Sequence, residues 1–429
     1  MSRIGVISLG CAKNQVDTEH MLAYLVKAGH TLVTDPSEAE VLIVNTCGFI
    51  EPSKQESINT ILEMAQYKKA GTCRTLVATG CLTERYAAEL KEALPEIDIL
   101  TGIHDYAKLP DLLNGEPDPA PAPYAGRILT TPPYSAYLRI SDGCSNRCAY
   151  CAIPLIRGPL NSVPMEELLS EAETLAGSGV TELNVIAQDT SGYGVDLYGK
   201  PMLLPLLEKL SNVEGLHWIR VLYTYPDTVT PELLDLFSSS SRIVNYLDIP
   251  LQHISTPVLK AMNRRGDRAH IESILDHLSP YRSAFTLRTT MMVGFPGETE
   301  EQFRELMDFL KEYPFDRVGA FAFSPEEGTA AAGMEGQIPE DIRLERLDLL
   351  MRQQRTISSE LNRRRIGSKA EVLIDGTDEE GLFGRSFAEA PDVDGLIRLP
   401  FTPGIKAGTY VNARLTNARD YDMIGVIEP

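Results

Sequence analysis

Cys144, Cys148 and Cys151 stand in the run Asp142-Gly-Cys-Ser-Asn-Arg-Cys-Ala-Tyr-Cys, and no other feature constrains this chain as far. Three thiolates at the spacing C-x3-C-x2-C fit three irons of a cubane cluster and leave the fourth iron without a protein ligand. An open iron binds and reduces small molecules, so the spacing points to chemistry more than to electron storage. A structural zinc wants a fourth ligand and usually paired C-x2-C knuckles, and neither is nearby in the sequence. Three cysteines packed in a core would need neither this spacing nor Tyr150 just before the last of them.

At 429 residues the chain exceeds one ordinary core, so two or three domains are expected. Its 43% hydrophobic and 23% charged residues describe a globular chain. The opening Met-Ser-Arg-Ile-Gly-Val-Ile-Ser is a strand pattern and not a signal peptide, and no apolar run reaches bilayer length, so a cytoplasmic location is expected. Seven cysteines in a reducing compartment indicate metal or catalysis before disulfides. A net charge of −20 disfavours nucleic acid as the partner and favours a basic protein. Arg363-Arg364-Arg365 is the only dense basic run, and it reads equally as a solvated helix end.

Residues 1–115 alternate strand and helix signals. Ile4–Ser8, Val41–Val44 and Thr75–Ala78 have the continuous apolar character of buried parallel strands. Between the first two, Asp17 is a candidate cap for a helix with Met21, Leu22, Leu25 and Val26 on one face and Gly29 at its end. This is a doubly wound α/β domain. Residues 116–133, with prolines at 117, 119, 121 and 123 and again at 132 and 133, read as an extended linker. Residues 134–365 resume the alternation, with strands at Tyr137–Ile140, Leu183–Ala187, His217–Leu222, Tyr246–Ile249, Thr286–Val293 and Arg317–Ala322. Pro164 and the Thr299/Gln302 capping pair mark helix starts. Six βα units predict an open (β/α)6 barrel whose active site lies at the strand C-termini, where the cysteine loop falls. A long helix from Pro339 to Arg365 leads into residues 366–429, where Ala370–Ile374, Leu396–Leu399 and Tyr410–Leu415 predict a small OB-like all-β barrel. That segment carries six basic and eleven acidic residues, a net −5.

Cys11, Cys47 and Cys81 are distant in sequence, yet each follows an apolar strand and adjoins a glycine. In a parallel sheet all three emerge at the carboxyl edge, where open α/β folds bind ligands, and the glycines let backbone approach a bulky group. One such cysteine would be ordinary core packing; three in one context predict a second cluster that also leaves an iron free. Cys73 lacks that setting and reads as a bystander.

Several stretches together resemble the methylthiotransferases, radical S-adenosylmethionine (SAM) enzymes with two 4Fe–4S clusters. The C-x3-C-x-aromatic-C run carries the radical SAM signature. Ser8–Met21, Asn45–Ile50, Asp142–Gly158, Ile249–Ser255 and Met291–Thr299 match the family, and Gly384-Arg-Ser with Ala390–Gly395 match its terminal TRAM domain. The likeness is strongest to the RimO branch, which modifies an aspartate of ribosomal small-subunit protein twelve. The tRNA-modifying MiaB branch usually has Gln-Met-Asn where this chain has Ala12-Lys13-Asn14; Thr18 and Asp392 are mild departures from the common serine and glutamate.

The resemblance implies that Cys144, Cys148 and Cys151 hold the SAM-cleaving cluster. It assigns to Cys11, Cys47 and Cys81 the cluster that carries the added sulfur. One SAM then gives a methyl group to that sulfur and a second supplies the radical that takes a β-hydrogen, which no side-chain base removes. Tyr150, Gln188, Gln252 and Val293 are the implied SAM contacts. Gln188 and Gln252 read nearly as well as rim hydrogen bonding, and Gly294, Gly297 and Glu298 as a turn. Asp189 and Ser191–Gly194 are placed to approach substrate. A strong reductant such as flavodoxin and a sulfur donor are implied partners. Two rivals stand beside this reading: the same reaction on a modified adenosine of tRNA, and a non-catalytic iron–sulfur redox protein. The acidic terminal barrel, taken as the substrate-docking surface, opposes the first.

Overall fold

A computed structural model of the chain describes residues 1–116, 120 and 126–428. The prolines at 117, 119, 121 and 123 lie outside the described residues. Five parallel strands form the first sheet in the spatial order Thr31–Val33, Arg3–Ser8, Val41–Thr46, Thr75–Gly80, Ile99–Leu100. This is the 2-1-3-4-5 order of doubly wound folds. Both faces are covered, which explains the unbroken apolar runs. Ile4, Val41, Ile43 and Val77 pack against Met21, Leu25 and Leu109; Leu42, Val44, Leu76 and Ala78 pack against Ile61, Met64 and Leu90. Thr31–Val33 and Ile99–Leu100 escape a sequence reading because edge strands of three and two residues carry no periodicity.

The helix Ala12–Lys27 ends as expected, with Gly29 at φ +90°. The Gly29 N–H donates to Val26 O and the His30 N–H to Leu25 O, a Schellman pair. Its start and one face differ from expectation. Cys11 occupies the N-cap, whereas Asp17 sits within the helix, buried and engaged by arginines of the next domain. Val26 is exposed while Met21, Leu22 and Leu25 are buried.

Six parallel strands follow, each beside its predecessor: Ser135–Arg139, Glu182–Ile186, Trp218–Val221, Ile243–Asp248, Thr286–Val293 and Arg317–Ala322. Their outer residues, among them Leu183, Ile219, Leu247 and Met291, pack beneath Leu168, Leu206, Phe237 and Phe309 of the surrounding helices. Thr299 and Gln302 form the expected capping box of the helix Glu300–Glu312. The long helix runs Glu340–Arg364.

The last segment closes into a five-stranded barrel, Lys369–Asp378, Gly381–Arg385, Ile397–Leu399, Met423–Ile427 and Tyr410–Ala418 in spatial order. Its loop 386–395 docks into the six-stranded sheet. Tyr137 and Tyr246 donate from their hydroxyls to Asp392 (2.8 Å) and Asp394 (2.6 Å). Arg220 donates to Phe387 O (2.6 Å), and Arg385 grips the buried Glu182 through both oxygens (2.8 and 2.9 Å). Most acids of this barrel are consumed in such pairs, Glu389 by Arg317 and Arg365, Asp378 by Arg398, Glu380 by Arg419 and Glu428 by Arg414. Arg398, Arg419 and Arg414 are already counted in the net −5, so of these pairs only that of Glu389 with Arg317 and Arg365 reduces it further.

Candidate active site between two cysteine trios

Cys11, Cys47 and Cys81 each stand at the carboxyl end of a strand, and the register levels those ends: Ser8 opposes Asn45, Asn45 opposes Thr79, and Thr46 opposes Gly80. The neighbouring glycines are required by close packing. A Cβ on Gly10 would lie 2.9 Å from Cys47 Cβ, one on Gly48 2.8 Å from Leu82 N, and one on Gly80 2.6 Å from Thr46 N. Asn14 donates to Leu9 O (2.6 Å) and Thr46 O (3.1 Å), and Asn45 donates to Asn14 O (2.9 Å). Ser57 both accepts from the Cys47 N–H (2.9 Å) and donates to Cys47 O (2.8 Å). Cys73 is buried in the core away from this edge, hydrogen-bonded to Thr75 O.

Cys144, Cys148 and Cys151 occupy the loop beyond the first barrel strand. The Cys144 N–H donates to Gly158 O (3.1 Å), and a Cβ on Gly143 would sit 2.7 Å from that same oxygen. Arg264 lies 3.8 Å from Cys148 Sγ, donates to the Tyr150 hydroxyl (3.2 Å) and stacks on Tyr225. Burial pushes the Cys144 thiol up to about 11 and those of Cys81 and Cys151 to about 12. Cluster loading at these thiols is therefore coupled to proton release. Among the described residues no three His, Cys, Asp or Glu side chains close around a single metal ion. A cubane asks for less, since its thiolates bind separate irons, and two converging trios with closely packed glycine backbones fit that donor set.

A cavity of about 860 Å³ is lined by Phe49 and Ile50, which follow Cys47, by Tyr150, which precedes Cys151, and by Gln252, Thr290, Met292, Phe321 and Phe323 of the barrel. Of the four residues expected at SAM, Tyr150 and Gln252 line it. Gln252 holds a left-handed φ of +70°, a strained conformation for a non-glycine residue. Gln188 instead donates to Asp142 (2.9 Å), leaving its buried Oε1 without a partner. The side chain of Val293 is buried among the outer helices and its carbonyl accepts the Phe323 N–H (2.9 Å), so the structure turns Val293 away from the cavity. Asp189 shapes its own loop, accepting from Ser191 (2.8 Å) and Gly192 N–H (3.0 Å). Glu298 accepts from the amides of Gly294 and Phe295 and pairs with Arg346; burial raises its pKa to about 7.

Arg157 is the participant that sequence reading missed. Its guanidinium bonds Asp142 (3.0 Å), two residues before Cys144, and Asp17 (2.7 Å), and reaches Cys81 Sγ at 3.5 Å. One side chain thus joins the two cysteine sites. Nothing near Ile156-Arg-Gly158 names partners some 76 to 140 positions away. Lys13 and Tyr223 were missed for the same reason: the Lys13 ammonium lies 2.9 Å above the Tyr223 ring.

A six-stranded parallel barrel with a three-cysteine loop after its first strand is the architecture of radical SAM enzymes. Residues 138–310 match the Radical SAM superfamily, residues 366–427 the TRAM domain, and residues 3–102 a family described as uncharacterized protein family UPF0004. The radical SAM methyltransferase TsrM from Kitasatospora setae, solved with cobalamin and a [4Fe-4S] cluster, shares the fold: TM-score 0.56 at 13% identity, covering 86% of this chain and 80% of that one. The cobalamin-dependent SAM radical enzyme OxsB gives 0.53 at 12%, covering 83% and 58%.

Full-length relatives narrow the class. Ribosomal protein uS12 methylthiotransferase RimO of Clostridium botulinum strain Hall is 46% identical over 436 residues, 99% of this chain and 98% of the relative. Those of Pelotomaculum thermopropionicum and Thermoanaerobacter sp. strain X514 are also 46% identical, covering 99% of this chain and 98% and 100% of theirs. The chain belongs to the RimO family of radical SAM methylthiotransferases, whose members use SAM and 4Fe–4S clusters.

Proposed function

We propose that this chain adds a methylthio group to the β-carbon of an aspartate in ribosomal protein uS12. Cys144, Cys148 and Cys151 hold the SAM-cleaving cluster; Cys11, Cys47 and Cys81 hold the cluster that carries the sulfur. When bound, the clusters and SAM supply a carbon-centred radical and a methyl group, chemistry no side chain here offers. The chain's own residues bind and orient. Tyr150 and Gln252 line the SAM cavity. Phe49, Met292, Phe321 and Phe323 give the cavity an apolar lining, with Phe49 and Phe321 exposed at its mouth. Arg264 donates toward Cys148 and Arg157 toward Cys81, the kind of N–H···S contact that sets cluster potentials.

The observation that carries the proposal is the pair of cysteine trios on strand carboxyl edges, linked by Arg157 between Asp142 and Cys81. Kinship to the uS12 enzymes supports the target, more than the acidity of the TRAM barrel, whose carboxylates are mostly paired. A reductant such as flavodoxin, a sulfur donor and a cytoplasmic setting complete the proposal; no helix among the described residues is long and apolar enough to cross a membrane. Anaerobic reconstitution should load about eight irons per chain, two cubanes. Intact-mass analysis of uS12 from cells with and without the enzyme should show a methylthio increment lost on deletion. Unchanged uS12 with altered tRNA would favour the nucleic-acid rival, and four irons or fewer with no 5′-deoxyadenosine released would favour the redox protein.

A further inference from the structure

Most buried cations in this region have carboxylate partners, and Arg264, which has none, is hydrogen-bonded to Pro250 O (2.7 Å) and the Tyr150 hydroxyl (3.2 Å). Arg139 and Arg157 share Asp17 and Asp142, Arg288 pairs with Asp248 (2.9 Å), and Lys54 pairs with Glu326 (2.7 Å). Lys13 is only 6% exposed, yet among the described residues no hydrogen bond or ion pair reaches its ammonium. Its one close contact is the Tyr223 ring. Two groups of opposite charge act on it, the Cys11 sulfur first and then Asp248, which already serves Arg288 and accepts the Tyr223 N–H (2.9 Å). Lys13 also occupies the second position of the helix Ala12–Lys27, where the helix dipole is positive. Desolvating a lysine at a positive helix end is costly, and one cation–π contact offsets only part of that cost.

The placement matches what the proposed reaction must recognise. Lys13 is two residues from Cys11 and faces Tyr223, beyond the end of the third barrel strand, so it lies between the N-terminal trio and the barrel mouth. The Tyr223 hydroxyl likewise has no hydrogen-bond partner among the described residues, and Tyr223 is fixed in a left-handed conformation at φ +63°. We infer that Lys13, assisted by the Tyr223 hydroxyl, is the specificity-determining cation that binds the carboxylate of the target aspartate. The β-carbon is then held beside the sulfur-bearing site. This rests on the function proposed above and adds to it the residue that distinguishes an aspartate side chain from a neutral one.

The test uses the reconstituted holoenzyme with uS12 and with uS12 carrying asparagine at the target. The parent should favour aspartate. Lys13→Met keeps the stem and removes the charge; kcat/KM on aspartate should fall roughly 10- to 100-fold, mainly through KM, and the aspartate/asparagine ratio should collapse. Lys13→Arg should restore part of the ratio, and Tyr223→Phe should lower it several-fold. A merely structural role would lower activity on both substrates and leave the ratio intact, which would overturn the inference. Should Lys13→Met fail to load iron, unaltered ratios in Lys13→Arg and Tyr223→Phe would overturn it equally. A parent enzyme inactive on uS12 would instead remove the functional reading itself.

Discussion

Glycine carries more of this site than its chemistry suggests. Gly143 has φ +69° and would place a Cβ against the carbonyls of Gly158 and Pro159, while Gly80 has φ +102° and would meet the Thr46 backbone. Either glycine-to-alanine change should cost at least ~1–3 kcal/mol locally through the left-handed backbone alone. Gly143→Ala and Gly80→Ala should each halve the iron content by losing one cluster, read by iron analysis and electron paramagnetic resonance. Gly177→Ala is the control: it lies at a helix end with nothing near its Cβ, and should keep full iron and gain up to ~1 kcal/mol. Alanine at Cys81 should likewise remove one cluster and leave the other's signal, whereas alanine at Cys73 should leave both.

The elements themselves were largely legible. Six barrel strands, the long helix before the TRAM domain and the strand-end context of Cys11, Cys47 and Cys81 all follow from periodicity and from cysteines beside glycines. Asp17 shows where such reading stops. Its position near a helix start suggested a cap, because capping is a local rule, but its partners Arg139 and Arg157 lie more than a hundred residues away. Gln188 and Val293 teach the same lesson: strand-end placement identifies the rim and does not say which way a side chain turns. Arg157→Leu should therefore leave the fold of each domain intact while leaving Asp17 and Asp142 short of a buried partner, a loss on the order of 3–5 kcal/mol. Faster limited proteolysis between the N-terminal and barrel domains, together with weakened magnetic coupling between two reduced clusters, is the expected outcome. Unchanged proteolysis would show that the arginine does not tie the sites.

Across the whole molecule the TRAM domain is fastened by buried carboxylates. Burial alone would raise Glu182, but Arg385, hydrogen-bonded to both its oxygens, and Arg220 bring it down to about 2 from an ordinary 4.5. Glu389 is brought to about 2 in the same way by Arg365 and Arg317. A depressed folded-state pKa contributes stability that is fully present above about pH 4.5 and is lost as pH falls toward about 2, on the order of 3 kcal/mol for each group. Small-angle scattering should record release of the terminal barrel within that window, and Glu182→Gln should loosen it already at neutral pH. A barrel that stayed docked at pH 2.5 would contradict this account of the fastening.

The loop bearing Asp392 and Asp394 reaches tyrosines on the strands of the neighbouring sheet. A chimaera that swaps only the terminal cassette between relatives would bring in a foreign stopper, leaving two phenols and several guanidiniums inside the catalytic shell without counterparts. Retargeting such an enzyme thus demands that cassette and shell be exchanged as one inheritance.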